Sequence, residues 1–232
     1  MHDPTTATGE DCLKSPLLHS LPGIIHAFGT RLQPIGSTFA SSWTETTRPI
    51  WKQVHGAASV EVTHTSQSCG EVDALWTRSQ KTPIAVVTAD CVPVLLARKD
   101  GTAAAAVHAG WRGTRARIVE KLVAEISGQG QDPSEWVAAI GPCAGRCCYE
   151  VSEELYLDFQ REFGPSATPT YRHLDLVRVN ELQLQKAGIS AIDTSVALCT
   201  ICSRTRDGTL RFNSYRRDGS GGRQFSMISL LS

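Results

Sequence analysis

TADCVPVLLARKDGTAAAAVHAGWRG, residues 88–113, sets two apolar runs on either side of a Lys-Asp-Gly turn signal and buries one cysteine and one histidine within them. The first run reaches back to Pro83 (PIAVVTADCVPVLLA) and is almost continuously apolar and rich in β-branched residues, the pattern of a strand covered on both faces. Pro93 then marks a bulge or the end of regular pairing. TAAAAVHAGW reads as the antiparallel partner. With RKDG as a four-residue loop, Cys91 falls directly opposite His108; a two-residue Asp100-Gly101 turn puts the pair on a diagonal. Both registers keep the two side chains on one face, and only a one-residue slip separates them.

Outward from this hairpin the pattern alternates between helix and strand. In TRARIVEKLVAEISG the apolar Ile118, Val119, Leu122, Val123 and Ile126 form one stripe, with Thr114 as N-cap and Gly128 as the stop. WVAAIGPCAG is a buried strand ending in a Gly-Pro turn. VSEELYLDFQREFG is a helix capped by Ser152, with Val151 and Tyr156 spaced for a hydrophobic staple. LDLVRVNELQLQKAGI makes a third helix closed near Gly188, and the chain ends in a cysteine pair, basic loops and a closing strand. Upstream, GIIHAFGTR is the first strand, and residues 31–49 are rich in breakers and read as a surface loop. In IWKQVHGAASVEVTH the later part alternates as a strand does, leaving His55 at its start or in the turn before it.

These elements fit one α+β domain over residues 21–232, with mixed, largely antiparallel sheets and helices packed outside, after a loosely held segment at 1–20. Hydrophobic residues make up 41% and charged residues 20%, and 23 basic groups balance 23 acidic ones, so neither a nucleic-acid nor a membrane surface is expected. No run approaches the roughly 18 apolar residues of a membrane span, and the N-terminal stretch lacks a signal pattern; a cytoplasmic location is expected. The eight cysteines then read as thiols or metal ligands rather than disulfides.

Thiolate and imidazole are preferred zinc ligands, and three protein ligands with a fourth position open is the arrangement of a catalytic site. Cys91 and His108 supply two. For the third, His55 in KQVHGA has a Gly-flanked strand start, a context that His2, His19, His26, His64 and His173 lack. Spacing alone is a weak signal, because buried cysteines and satisfied core histidines are common. Asp73 and Asp90 are candidates to orient a ligand histidine or take protons, with a turn cap the other role open to Asp90. A second metal site would draw on Cys143, Cys147 or Cys148 with Cys199 and Cys202, although nothing in the sequence says that these segments meet.

KQVHG, VDALWT, TADCVPVLL, AVHAGWRGT, IGPCAGRCCYEV and NSYRRDG followed by GRQFSMI, in that order, resemble the laccase-domain family, also called the multicopper polyphenol oxidase or purine nucleoside phosphorylase family. The resemblance runs from about Gly23 to Leu231. It implies a fold like that of cytotoxic necrotizing factor and a catalytic zinc on His55, Cys91 and His108. It also implies purine nucleosides and phosphate as substrates: phosphorolysis, including that of methylthioadenosine, and adenosine deamination. The segment between HAFGTR and KQVHG is shorter than the family pattern.

Arg112, with the N–H groups of the helix expected after Gly113, is the leading phosphate cradle, and Arg216 and Arg217 are second candidates. Arg31, Asp73, Arg112 and Arg216 are the substrate-binding candidates; His55, Cys91, His108, Asp90 and Arg112 are the catalytic ones. Three rival readings stand beside this one, the last being a non-catalytic interaction module stabilised by a closed four-ligand zinc site. The first is a thiol hydrolase with Cys91 as nucleophile and His108 as base, some members of the family being named peptidoglycan editing factors. The second is a copper polyphenol oxidase, which needs about ten histidines in His-x-His pairs. With seven histidines and no such pair, any Cu(II) at the His2Cys site is expected to be adventitious.

Overall fold

A computed structural model describes residues 12–219 and 221–231. In chain order the elements are α1 (Pro16–His19), β1 (Ile24–Phe28), β2 (Ile50–Lys52), β3 (Ser59–Glu61), β4 (Ser68–Glu71), β5 (Ala74–Thr77), β6 (Ile84–Thr88), β7 (Val92–Arg98) and β8 (Ala104–Ala109). They continue with α2 (Trp111–Arg115), α3 (Ile118–Gly128), β9 (Trp136–Ile140), α4 (Glu153–Phe163), α5 (Leu176–Lys186), β10 (Ala191–Asp193), α6 (Tyr215–Asp218) and β11 (Gln224–Leu230).

β7 and β8 lie at the centre of a six-stranded sheet of order β10-β9-β7-β8-β5-β3. Its β10–β9 and β5–β3 pairs are parallel and the rest antiparallel. The alanines of β8 explain why two layers close over it. Ala105, Val107 and Ala109 face a cluster containing Ile118, Leu122 and Ile126 of α3 and Leu176, Val179 and Leu184 of α5. Ala104 and Ala106 face the opposite cluster, with Ile84 and Val86 of β6 and Ile228 and Leu230 of β11. The long helices α3 and α5 therefore cover one face; the other is covered by a second sheet, β1-β11-β6, with Leu18 of α1 packed beside it. A two-stranded parallel pair, β2-β4, completes the strands. Among the described residues, no helix is long and apolar enough to cross a membrane.

The hairpin register pairs Pro93 with His108, so Cys91 is diagonal to His108 on the same face. Pairing to β9 begins at Val94↔Ile140, just past Pro93, which therefore needs no N–H on that side.

Three expectations require correction. The run 83–97 is two strands in different sheets, broken where Asp90 turns with φ of 104°. Because both halves are buried on both faces, apolar continuity does not reveal the change of sheet. Thr114 does not cap the long helix: α2 occupies 111–115, Arg117 in the left-handed region (φ 60°) separates it from α3, and Thr114 is buried. There it receives hydrogen bonds from Asn180 Nδ2 (3.0 Å, to Oγ1) and Gln183 Nε2 (2.8 Å, to the carbonyl). Finally, part of the segment expected to be loose is held. Leu13 exchanges backbone hydrogen bonds with Phe28, Leu18 is buried, and the Ser15 N–H donates to His26 Nε2 at 2.8 Å, which accounts for that histidine. Residues 1–11 of that segment, including His2, lie outside the described residues.

Candidate active site and metal centres

The chain crosses from one sheet to the other between β6 and β7, and this crossing delivers Cys91 to the end of β8, where His108 sits. His108 is 1% exposed, a position that demands a partner for its ring. Its Nδ1–H donates to Asp73 Oδ1 at 2.7 Å, which leaves Nε2 to face Cys91. The same carboxylate, itself 1% exposed, accepts the backbone N–H groups of Val54 (3.2 Å), His55 (3.0 Å) and Gly56 (2.7 Å). One buried aspartate thus orients one histidine and folds the turn that carries the other. Burial alone would raise the Asp73 carboxyl, but the His108 hydrogen bond and these N–H groups bring it below the ordinary carboxylate range. They also hold His55 at φ 59°, a left-handed conformation that costs a non-glycine residue on the order of 1 kcal/mol. Gln53 secures the turn from its other side: Nε2 donates to the Val87 carbonyl at 2.8 Å and Oε1 accepts the Val87 N–H at 2.7 Å.

The His55 and His108 rings meet edge to face, 4.8 Å between centroids, and each imidazole brings a nitrogen within 4.8 Å of the Cys91 sulfur. Burial pushes the Cys91 thiol up, yet the two imidazoles outweigh it and bring it down to about 6. Burial likewise opposes a charged His108, but Asp73 and Cys91 raise it to about 9. The Cys91 thiol and the His108 imidazole thus favour each other's charged forms.

The donor set suits a divalent cation. One sulfur and two imidazole nitrogens lie within 4.8 Å of one another. Gly110 keeps the space between them open, since a Cβ there would lie 3.0 Å from Cys91 Sγ and 3.2 Å from His55 Cδ2.

All three groups line a cavity of about 830 Å³ whose walls include Trp51, Tyr149, Tyr215 and Phe225, with Arg48, Arg216 and Arg223 supplying positive charge. Asp90 and Arg216 also line it. Asp90 accepts from Thr200 Oγ1 (2.5 Å) and from the Arg216 N–H (2.7 Å), so it ties the β6–β7 crossing to the segment before α6 and to α6 itself. Arg216 lies over the Tyr149 ring and donates through Nη1 to the Glu150 carbonyl at 2.6 Å. Burial pushes the Tyr149 phenol up to about 12, which keeps it neutral.

Other expected residues lie elsewhere. Asp73 is behind His108 rather than in the cavity wall. Arg112 stacks on Trp111 (4.4 Å), and the helix there starts at Trp111 and spans five residues, so no phosphate cradle forms after Gly113. Arg31 pairs with Asp218 at 3.3 Å, and Arg217 spends its guanidinium on the carbonyls of Thr200, Ile201 and Phe212 and on Asp218. Residue-type reasoning missed Arg48, Arg223 and the four aromatic groups. They come from segments distant in sequence; the CCYEV, NSYRRDG and GRQFSMI blocks contain Tyr149, Tyr215, Arg223 and Phe225, but nothing in them points to one cavity.

The separated cysteine segments do meet. Cys147, Cys148, Cys199 and Cys202 bring their sulfurs within 4.8 Å of one another. Cys143 is fully buried and bridges to Cys199 through its backbone instead. Among the described residues, His19, His26, His64 and His173 belong to no such group.

Comparison with known proteins identifies the family and the fold. Residues 38–231 match the family described as multi-copper polyphenol oxidoreductase laccase. The chain is 35% identical over 188 residues to a purine nucleoside phosphorylase of Xylella fastidiosa, covering 75% of this chain and 69% of that protein. It is 32% identical over 186 residues to the purine nucleoside phosphorylase YfiH of Escherichia coli, covering 79% and 74%. The crystal structure of the Bacillus licheniformis hypothetical protein YfiH superposes with a TM-score of 0.74 at 26% identity, over 89% of this chain and 92% of that one. With most of its length matched by both sequence and fold, the chain belongs to the multi-copper polyphenol oxidoreductase laccase family.

Proposed function

We propose that this chain is a zinc-dependent purine nucleoside phosphorylase, with adenosine deamination and methylthioadenosine phosphorolysis in the same cavity. The observation that carries the reading is the three-ligand cluster opening onto an aromatic and basic cavity, supported by the names of the relatives. In this reading His55, Cys91 and His108 hold the zinc, which supplies Lewis acidity toward phosphate, ribose or water oxygens. Asp73 fixes the tautomer and aim of His108. The flat walls given by Trp51, Phe225, Tyr149 and Tyr215 suit a purine ring, and a cavity of about 830 Å³ has room for a nucleoside with phosphate beside it. Phosphate is assigned to Arg48, Arg216 and Arg223, because guanidinium groups match its oxygens in pairs. Asp90 acts by holding Arg216 in place. The ligand set argues against a multicopper oxidase: the second cluster is all sulfur, and the histidines for further copper centres are missing.

A second reading is favoured by one observation, the Cys91–His108–Asp73 chain, which has the connectivity of a nucleophile, a base and an orienting carboxylate. It would make the protein a Cys/His hydrolase, with a peptidoglycan precursor as substrate. Product analysis on adenosine plus phosphate separates the two. Adenine with ribose 1-phosphate, abolished by chelation and restored by Zn(II), is the expected result, and inosine identifies deamination. Activity indifferent to chelator but ended by thiol alkylation would overturn the zinc reading.

A further inference from the structure

We propose that Cys147, Cys148, Cys199 and Cys202 form a second, closed tetrathiolate zinc site that staples the segment after β9 to the turn before α6. It is independent of the His55–Cys91–His108 cluster. Four sulfurs from two segments about fifty residues apart lie within 4.8 Å of one another, a crowding of thiols that needs a reason. The Cys147 and Cys202 sulfurs are 3.7 Å apart. Four thiolates around one zinc at about 2.3 Å stand about 3.8 Å apart along each edge of the tetrahedron, whereas a disulfide closes to about 2.05 Å. The observed separation fits a shared cation.

The surroundings are those of a ligand set assembled in advance. Cys143 N–H donates to the Leu198 carbonyl (3.1 Å) and Thr200 N–H to the Cys143 carbonyl (2.8 Å), so the two segments are already paired by backbone. The backbone N–H of Gly145 donates to Cys199 Sγ at 3.4 Å. Such a donor stabilises a metal-bound thiolate and fixes its direction. Gly145 leaves the sulfurs room to converge: a Cβ there would lie 3.1 Å from Cys199 Cβ and 3.4 Å from Cys147 Sγ. Four soft ligands with no position left over select zinc in a structural role rather than a catalytic one.

The staple bears on the cavity. Thr200, within the Cys199–Cys202 turn, donates to Asp90, whose other oxygen holds the Arg216 N–H, and Tyr149 follows Cys148 directly. The cavity wall is thus built on the segments that this cation would join.

The test is metal analysis with sulfur-ligand counting by X-ray absorption on protein purified anaerobically without chelator. A His55→Ala/His108→Ala variant is expected to retain one zinc per chain with four sulfur neighbours, and Cys147→Ser/Cys202→Ser to lose one equivalent relative to wild type. If a variant fails to fold, native wild-type protein decides by mass mapping of alkylated thiols: protection of exposed Cys147 and Cys202 until zinc is stripped supports the site. A metal-free His55→Ala/His108→Ala protein, nitrogen or oxygen ligands on its zinc, or immediate labelling of Cys147 and Cys202 would overturn it. None of these readouts depends on phosphorolysis, so a failure of the nucleoside reading leaves the result interpretable.

Discussion

The His55–Cys91–His108 cluster and the four-cysteine cluster stand on either side of one aspartate. Asp90 precedes Cys91 in the chain and accepts from Thr200, the residue after Cys199. Both clusters offer soft ligands within 4.8 Å, yet they are supported differently. The first has two imidazoles, one sulfur, a buried carboxylate behind His108 and left-handed backbone at His55 and Asp90, and it opens into a cavity. The second has four sulfurs, a backbone N–H donor from Gly145 and no carboxylate among its ligands. Ligand type alone therefore does not distinguish chemistry from stapling; the number of ligands, their supporting shell and the space in front of them do.

The largest expected difference is in turnover. Cys91→Ala or His108→Ala should lower kcat/KM for phosphorolysis by on the order of 10³-fold, about 4 kcal/mol of transition-state stabilisation. Cys147→Ser/Cys202→Ser should act chiefly on the melting temperature and leave kcat/KM within about tenfold of wild type. Steady-state kinetics and thermal melts on the same preparations measure both, and the opposite pattern would exchange the roles of the clusters.

Asp73→Asn comes next. It keeps the shape but removes the charge that fixes His108 and accepts three backbone N–H groups, so zinc affinity should fall about 10–100-fold in a competition titration with a chelating dye. An unchanged affinity would mean that the carboxylate serves only to fold the QVHG turn.

Stripped of metal, the two clusters should also differ in thiol reactivity, against the order of exposure. Cys147 is exposed, but burial of its thiol and the neighbouring Cys199 push it up to about 11; Cys91 is only partly accessible, yet the imidazoles bring it down to about 6. The thiolate is the reactive form and accumulates above the pKa. Alkylation of Cys91 should rise about tenfold per pH unit up to about 6 and level off above it, while Cys147 continues to gain through pH 8. Mass mapping across that range checks the order, and faster labelling of Cys147 at pH 6.5 would contradict it.

Much of this was legible in the sequence, for identifiable reasons. The β7–β8 hairpin announced itself through Asp100-Gly101, and period two then forced Cys91 and His108 onto one face in either register. α4 was legible because Ser152 caps it, accepting the Leu155 N–H at 3.3 Å. The break at Asp90 was not, since burial on both faces erases the alternation that would mark a change of sheet. Arg48, Arg223 and Phe225 were hidden for another reason: each is an ordinary residue in a loop or strand, and only the folding of residues 48–53 against β11 brings them to one cavity. The meeting of Cys147–Cys148 with Cys199–Cys202 rests on a backbone bridge between positions 143 and 199, a long-range contact with no local signature.

The smallest effects should come from two glycines that hold the clusters open. At Gly110 an added methyl would sit 3.0 Å from Cys91 Sγ and 3.2 Å from His55 Cδ2, and the backbone there (φ −66°) accepts any residue, so the disturbance is confined to the ligands. At Gly145 the nearest sulfur is 3.4 Å away, ordinary van der Waals contact, and the tighter neighbour is Cys199 Cβ at 3.1 Å. Gly110→Ala should therefore weaken zinc at the cavity about tenfold, or about 1.4 kcal/mol, the lower part of the range for overpacking a filled site. Gly145→Ala should cost its cluster only about threefold, since no sulfur there is closer than 3.4 Å and the tight contact is with a Cβ rather than a ligand atom. Zinc titrations of the two variants compare the clusters directly. An equal loss at both would show that the four-sulfur site is as tightly determined as the one that faces substrate, and that openness rather than rigidity is what sets them apart.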